Sequence, residues 1–432
     1  MRDDLQRRLR ELGVVKGVRE LATLPTRPQI AIEDLVPGRF HTTSHGRCFV
    51  VESTYPLEHR HGDRSLSQFL DLKPGDLAQL GQDQTLNLVD PAKACFIDTE
   101  TTGLSGGAGT MAFMVGLGFF EAGAFHVHQY FLRDPGDEPA MVETLAKQLF
   151  RFEYLVSFNG ITFDVPILEN RFILARIPPP TGNLPHLDLL HPARRLWRYA
   201  LPSCALGSLE VEVLGVQREQ ADVPGGVIPY LYRDYLRTGD AREMKRVLYH
   251  NEIDVLSLAT LAVRLHRAFA DPWGETVRSE PELGGAEFYG LARWYARDGR
   301  DEEAERAYRV AIAAPLAPSK EDSLPPDVRA RALRDLGLLL KRAGRRDEAF
   351  GYWQQLALES RDDVGAHVEL AKHFEWHVEN LALAAGWTRA ALAQVSTWPP
   401  GLRRDTTEAE LVHRLERLER KTAASTDDDE VN

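Results

Sequence analysis

The hydrophobic period of this chain changes once, near residue 280, and a change of that kind separates two sorts of layer. Up to about residue 270, short apolar runs with strand character alternate with longer runs at helical spacing. KACFID reads as a short strand, and MAFMVGLGFFEAGAFHVHQYFL as two strands joined at an Ala122-Gly123 turn. EPAMVETLAKQLFRF then reads as an amphipathic helix, EYLVSFN as another strand and VPILENRFILARI as another helix. Three strands followed by alternating helix and strand predict a mixed α/β sheet with flanking helices, opening as a meander. Upstream, GRFHTTSHGRCFVVEST has the β-branched and aromatic content of a hairpin turning at His45-Gly46. At 432 residues the chain is too long for one typical core. The expected division is an N-terminal extension over 1–90, a helix plus the hairpin, packing on a sheet domain over 91–272. Helical repeats follow over 282–420, and 421–432 is an acidic tail expected to be disordered.

Beyond residue 280 the strand signals vanish and a helical pattern recurs. Phe288, Leu291, Ala292, Tyr295, Gly299, Ala304, Tyr308 and Ala311 fit tetratricopeptide spacing: large residue, Leu, small residue, aromatic, Gly turn, then Ala-x3-aromatic. Leu333, Leu336, Gly337, Leu340, Gly344, Ala349 and Trp353 repeat it, and Leu370, Ala371, Phe374, Trp387 and Ala390 repeat it again. One helix pair cannot bury its apolar face alone, so about three stacked copies are the physical minimum. A repeat of this type is predominantly a binding surface, which implies a protein partner and no catalysis.

Composition narrows the function. No apolar run approaches the length of a membrane span, and MRDDLQRRLRELG lacks the apolar core of a secretory signal, so a cytoplasmic protein with no membrane partner is expected. Cys48, Cys95 and Cys204 are odd in number and widely spaced, which indicates neither a disulfide framework nor a zinc site. His41, His45, His59 and His61 lack acidic or thiol partners nearby and read as surface histidines. The net charge of -12 is unusual for a protein that binds phosphate, but most of the excess acid lies in the C-terminal third. HPARRLWR, with Arg194 and Arg195 beside Trp197, is the candidate basic contact in the middle region; a solvated helix face explains it equally well.

Four carboxylates in that region stand in chemically suggestive settings. On a strand, residues two apart share a face, so Asp98 and Glu100 of FIDTETTGL project together while Thr99 points away. Two such acids in one pocket repel unless hard divalent cations lie between them, which suits Mg2+ or Mn2+. Thr101, Thr102, Gly103 and Leu104 follow, with Gly103 allowing a close turn past a ligand and Leu104 placed to wedge against a terminal base. Asp164 lies beyond a second strand, after Asn159 and Gly160, with Phe163 opening the next helix. A carboxylate there can face the first pair across neighbouring strand ends. Asp254 sits in the amphipathic VLYHNEIDVLSLATLAVRLHRAF, with His250 on the same face and Tyr249 rotated by roughly 140°. His250 is therefore the better-placed partner to orient or deprotonate a water, and Asp188 is a candidate outer-shell acid.

FIDTETTGL, SFNGITFD and YHNEIDV together resemble the DEDD superfamily of 3'-5' exonucleases, the DnaQ-like branch of the ribonuclease H-like fold. The likeness is strongest to its YprB-type bacterial members. LPHLDLLHPARRLW and the run from CALGSLEVEVLGVQRE through DVPGGVIPYLYRDYLRTGD extend it over roughly residues 35–270. The resemblance implies that Asp98, Glu100, Asp164 and Asp254 hold two Mg2+ or Mn2+ ions for phosphodiester hydrolysis on single-stranded DNA or RNA. It also implies contacts to that strand from Thr101, Gly103, Leu104, Asn159, Phe163, Arg194 and Arg195. In the superfamily a Tyr stands four residues before the last Asp, or a His five before it; here His250 stands at four and Tyr249 at five. A non-catalytic scaffold with a degenerate nuclease domain and a structure-specific endonuclease are the alternatives.

Overall fold

The computed structural model describes residues 29–103, 109–182, 184–218, 223–274, 283–315, 324–360 and 363–429. The N-terminal charged stretch MRDDLQRRLRELG and Leu104 lie outside the described residues. The chain divides into two compact units, one comprising Met1–Leu189 with Glu210–Val263, the other Leu190–Leu209 with Arg264–Asn432.

The first unit is built on a seven-stranded sheet. Its strands are β1 (Gly38–Thr43), β2 (Gly46–Pro56), β5 (Ala94–Thr101), β6 (Ala112–Glu121), β7 (Ala124–Phe131), β8 (Tyr154–Ser157) and β9 (His186–Asp188), and their order across the sheet is β1-β2-β7-β6-β5-β8-β9. The short strands β3 (Arg60–His61) and β4 (Arg64–Ser65) form a separate hairpin. All pairings from β1 to β5 are antiparallel, whereas β5-β8 and β8-β9 are parallel. The β6-β7 hairpin closes as the pattern predicts, through Ala122 and Gly123, both with positive φ (50° and 77°). A two-residue hairpin of that twist requires both. The β1-β2 hairpin pairs with β7 and so extends the sheet, where the sequence suggested an extension packed on a separate domain. Cys48, Phe49, Val50 and Val51 of β2 enter the same core as Cys95 and Ile97 of β5, which is why this hairpin cannot be an appendage.

Parallel strands need crossover connections, and helices supply them. After α1 (Pro74–Gly81), α2 (Glu138–Leu149) follows β7 and buries Met141, Val142, Leu145 and Leu149; α3 (Asp164–Leu174) links β8 towards β9 and buries Ile167, Leu168 and Phe172. All seven side chains join the core cluster of Cys95, Ile97 and Leu155. The long α7 (Arg242–Ala270) packs close to β6 and β7, where Gln129 donates from β7 to the Leu248 carbonyl at 2.7 Å.

The second unit is helical. It contains α4 (Leu190–Trp197), then α8 (Gly285–Arg297), α9 (Asp301–Ala313), α10 (Pro326–Arg342), α11 (Arg346–Glu359), α12 (Val364–Trp376), α13 (Leu381–Ser396) and α14 (Leu402–Asp429). Consecutive helices pack in pairs, with Gly299 and Gly344 in the left-handed conformation at the first two turns. In the first two copies of the spacing the marked apolar residues are buried. In the third, Trp387 and Ala390 are half-buried while Thr388 and Ala391 face the interior, so the register slips by one position there. The buried carboxylate of Glu375 on α12 fastens α14 through Arg414, Arg417 and Lys421 at 2.7–3.0 Å. The backbone of α14 continues to Asp429, past the point where the sequence suggested a disordered tail; Glu, Lys, Arg and Ala over 416–424 are strong helix formers.

One boundary differs from the sequence reading for a specific reason. Helix α4, drawn from the HPARRLWR motif, belongs to the helical unit. A Cβ at Gly290 of α8 would lie 2.4 Å from the Leu196 carbonyl oxygen and 2.7 Å from that of Arg195, so only glycine permits this approach. Trp197 adds a hydrogen bond from its indole N–H to Glu287 at 2.7 Å. Replacing Gly290 by Ala should push α4 away and cost about 1–3 kcal/mol. Urea unfolding of G290A checks this; an unchanged midpoint would mean that the contact is dispensable.

Candidate active site

Strand β5 begins wholly buried and ends on Asp98-Thr99-Glu100-Thr101, where its pairing to β6 shifts register between Glu100 and Thr101. Bulges of this kind twist a strand end and re-aim its side chains. Asp98 stands opposite Gly116 on β6, and the side chain of Asn251 from α7 occupies the space over that glycine, since a Cβ there would meet Asn251 Oδ1 at 2.3 Å. Asn251 uses this position to donate from Nδ2 to Asp98 Oδ2 at 2.7 Å. Its own Oδ1 accepts from the buried Gln129 at 2.9 Å, which fixes the orientation of the amide.

Asp164 reaches the same strand end from the other face. Thr99, pointing away from Asp98 and Glu100, donates its hydroxyl to Asp164 Oδ1 at 2.5 Å. Asp164 opens α3, where the helix dipole favours a negative charge. The turn before it is held by Asp188 at the end of β9, whose carboxylate accepts from the backbone N–H of Asn159 (2.8 Å) and of Ile161 (3.2 Å). Asn159 itself has φ of 67°, a conformation that asparagine tolerates better than most residues.

Asp254 and His250 lie one turn apart on α7, with His250 Nε2 at 3.4 Å from Asp254 Oδ2 and 3.8 Å from Glu100 Oε1. A residue outside the sequence expectation completes this corner. Arg218 donates from Nη2 to Asp254 Oδ1 at 2.5 Å and places Nη1 at 2.9 Å from His250 Nδ1. The same guanidinium grips Glu210 of α5 (Leu206–Glu212) from Nε and Nη2 at 2.9 and 2.7 Å. Glu210 is buried, and its second oxygen accepts from the Ser257 hydroxyl at 2.6 Å. His61 Nε2 lies 2.7 Å from that hydroxyl. His61 is thus no surface histidine: the β3-β4 hairpin carries it inward, and burial pushes its pKa down to about 4. His41 and His45 are exposed, and His59 is half-buried against Tyr55.

The electrostatics follow from the crowding. Burial first, then the charges of Asp254 and Asp164, hold the Asp98 carboxyl well above the usual range. Glu100 is raised well above it too, by burial and then by Asp98, Asp254 and Asp164. Burial lifts Asp164 to about 6. Among the described residues, no three carboxylate, imidazole or thiol groups are closed into a ready metal cage. Asp98 is engaged by Asn251, Asp164 by Thr99 and Asp254 by Arg218. The donor set nevertheless fits hard divalent cations: four carboxylates close enough to repel, whose shared negative charge a cation would relieve.

The other residues expected at the site are placed as follows. Thr101 is buried and donates to the Gly103 carbonyl at 2.7 Å; Thr102 pairs with Met111 through its backbone N–H and its hydroxyl. The Asn159 side chain accepts from the Thr162 hydroxyl, and Phe163 packs on the core. Arg194 is exposed on α4 within the helical unit. Arg195 lies over the Trp294 ring at 5.3 Å, and burial lowers its pKa, so it packs partly into that unit.

The RNase_H superfamily model matches residues 95–266, a span that contains all four carboxylates. The chain is also 32% identical over 380 residues to the uncharacterized protein YprB of Bacillus subtilis (strain 168), a match covering 87% of this chain and 86% of that protein. The mixed sheet with its flanking helices is the ribonuclease H-like fold expected from the sequence, and it carries a nuclease-like domain.

The raised Asp164 pKa has a consequence for stability. Between the ordinary 3.8 and about 6, the unfolded chain has released a proton that the native state still holds, so this group makes stability fall as pH rises. Asp164→Asn removes the ionisation. In metal-free buffer, the Tm of D164N minus that of the parent should therefore increase between about pH 4 and pH 6; a flat difference would contradict the assignment.

Proposed function

The chain belongs to the YprB family and carries an RNase H superfamily domain, and from that premise we propose that it is a metal-dependent 3'-5' exonuclease acting on single-stranded DNA or RNA. The observation that carries the reading is the convergence of Asp98, Glu100, Asp164 and Asp254, near enough that Asp254 and Asp164 raise the pKa of both strand acids. Cation binding accounts for two strand acids whose pKa values are raised by burial and by the acids beside them. Asp98, Glu100, Asp164 and Asp254 would hold two Mg2+ or Mn2+ ions. When bound, such ions supply an activated water and charge stabilisation at a phosphodiester.

The protein's own part is positioning. Asn251 keeps Asp98 facing the pocket, Thr99 keeps Asp164 turned to the end of β5, and Arg218 holds Asp254 from behind. His250 stands beside Glu100 and Asp254, at the edge of the pocket where a scissile phosphate would lie. The helical unit is the platform for a protein partner in this reading, as its stacked helix pairs suit.

Purified protein with Mn2+ and a 5'-labelled single-stranded oligonucleotide should give a ladder shortening from the 3' end. D98A should reduce the rate by at least about a hundredfold, the scale on which a ligating carboxylate acts. A circular single strand should survive. Cleavage of the circle would replace the exonuclease reading by an endonuclease, and no cleavage of any substrate would favour the scaffold.

A further inference from the structure

We propose that Arg218, braced by Glu210, is a positioning residue that fixes His250 as an N–H donor towards the acidic pocket, and that His250 is not the general base. This rests on the nuclease reading and assigns work within that site. The argument comes from the inventory of protons. A guanidinium has five N–H donors and no acceptor. With Arg218 Nη1 at 2.9 Å from His250 Nδ1, that nitrogen has to present its lone pair, because an N–H there would face another N–H. The proton of the neutral ring is then on Nε2, the nitrogen 3.4 Å from Asp254 Oδ2 and 3.8 Å from Glu100 Oε1. An Nε2–H there points its positive end towards two carboxylates, while a bare Nε2 lone pair would repel them.

The hydrogen bonds described around Glu210 agree in direction. Ser257 has one hydroxyl proton and gives it to Glu210 Oε1 at 2.6 Å, so His61 Nε2, at 2.7 Å from Ser257 Oγ, must donate to that hydroxyl oxygen. Glu210 thereby receives Ser257 on one oxygen and the Nε and Nη2 groups of Arg218 on the other. The guanidinium cannot rotate without taking the cation away from Oε2 of the buried Glu210 carboxylate, which would keep only the Ser257 hydroxyl on Oε1. Its planar fork is what lets one side chain address Glu210, Asp254 and His250 together; lysine has the charge but not the fork. Asp254 is held at Oδ1, with Oδ2 turned to the His250 side of the pocket. Partners that orient a ligating carboxylate from behind typically change metal affinity by about 10–100-fold.

In the reaction, an Nε2–H donor can hold a non-bridging phosphate oxygen or a water oxygen in place. Cations held by the four carboxylates would lower the pKa of a water bound to them, so that its proton could pass to solvent without His250 accepting it. The exchange of His and Tyr positions relative to the superfamily follows the same logic: at four residues before Asp254, His250 shares the face on which Arg218 meets Asp254.

The test is the ring itself. Full-length protein labelled with 15N-histidine, with His250 assigned by loss of its signals in H250Q, should show the Nε2–H tautomer. In E210Q/R218M, which removes the guanidinium without stranding Glu210, the His250 pattern should move towards a mixture. Mn2+ affinity by calorimetry should weaken about 10–100-fold while the circular dichroism spectrum stays native. R218K should behave like the double variant, since charge alone does not restore the fork. An Nδ1–H tautomer in the parent protein, or parent-like Mn2+ affinity in both variants, overturns the proposal. Absence of Mn2+ uptake by the parent protein would instead overturn the nuclease reading, which the tautomer measurement does not depend on.

Discussion

Everything at the business end of this sheet answers to one electrostatic problem, the concentration of four carboxylates at the half-buried end of β5. Like charges at short range with little water raise one another's pKa, and Asp98 and Glu100 show it most strongly. A fold can tolerate that cost only with partners for the acids. Here each of Asp98, Asp164 and Asp254 has a separate protein donor, respectively Asn251, Thr99 and Arg218. The donors are themselves braced, by Gln129 behind Asn251 and Glu210 behind Arg218.

The architecture serves that arrangement. A glycine at 116 leaves room for Asn251 to reach the strand, and the register shift at Glu100 and Thr101 turns the strand end towards α7. The parallel β5-β8-β9 side brings the Asn159–Phe163 turn to the same edge, and Asp188 holds that turn by its backbone. Helix α7 contributes Asn251, His250, Asp254 and Ser257 from adjacent turns, so one rigid element sets four of the site's distances. Cation binding at such a place would relieve repulsion that the protein donors offset only in part.

Much of this was legible in the sequence because strand parity and helix spacing are local. Asp98 and Glu100 two apart, His250 and Asp254 four apart, and the β6-β7 hairpin at Ala122-Gly123 required no knowledge of the tertiary structure. Arg218 was not legible, since nothing local says that a polar loop residue turns back to α7, although VQRE lies in the stretch resembling the YprB type. Of the two glutamates in LGSLEVEVLG, Glu210 is the one four residues after Leu206 and next to Leu209, and that placement among apolar neighbours was the available signal. His61 misled because solvent exposure was inferred from a missing local partner, while its partner Ser257 is 196 residues away. The packing of Arg195 was not legible either: a basic cluster on a short helix gives no local sign that Gly290 lets that helix press against α8 and bury part of it.

The central claim is that Asp98, Glu100, Asp164 and Asp254 form one cation site. Crystals grown with Mn2+ and measured at the manganese edge test it most directly. The account predicts two anomalous peaks among these carboxylates, with Arg218 still paired to Glu210 and Asp254. Manganese peaks elsewhere only, or none at saturating Mn2+, would contradict it.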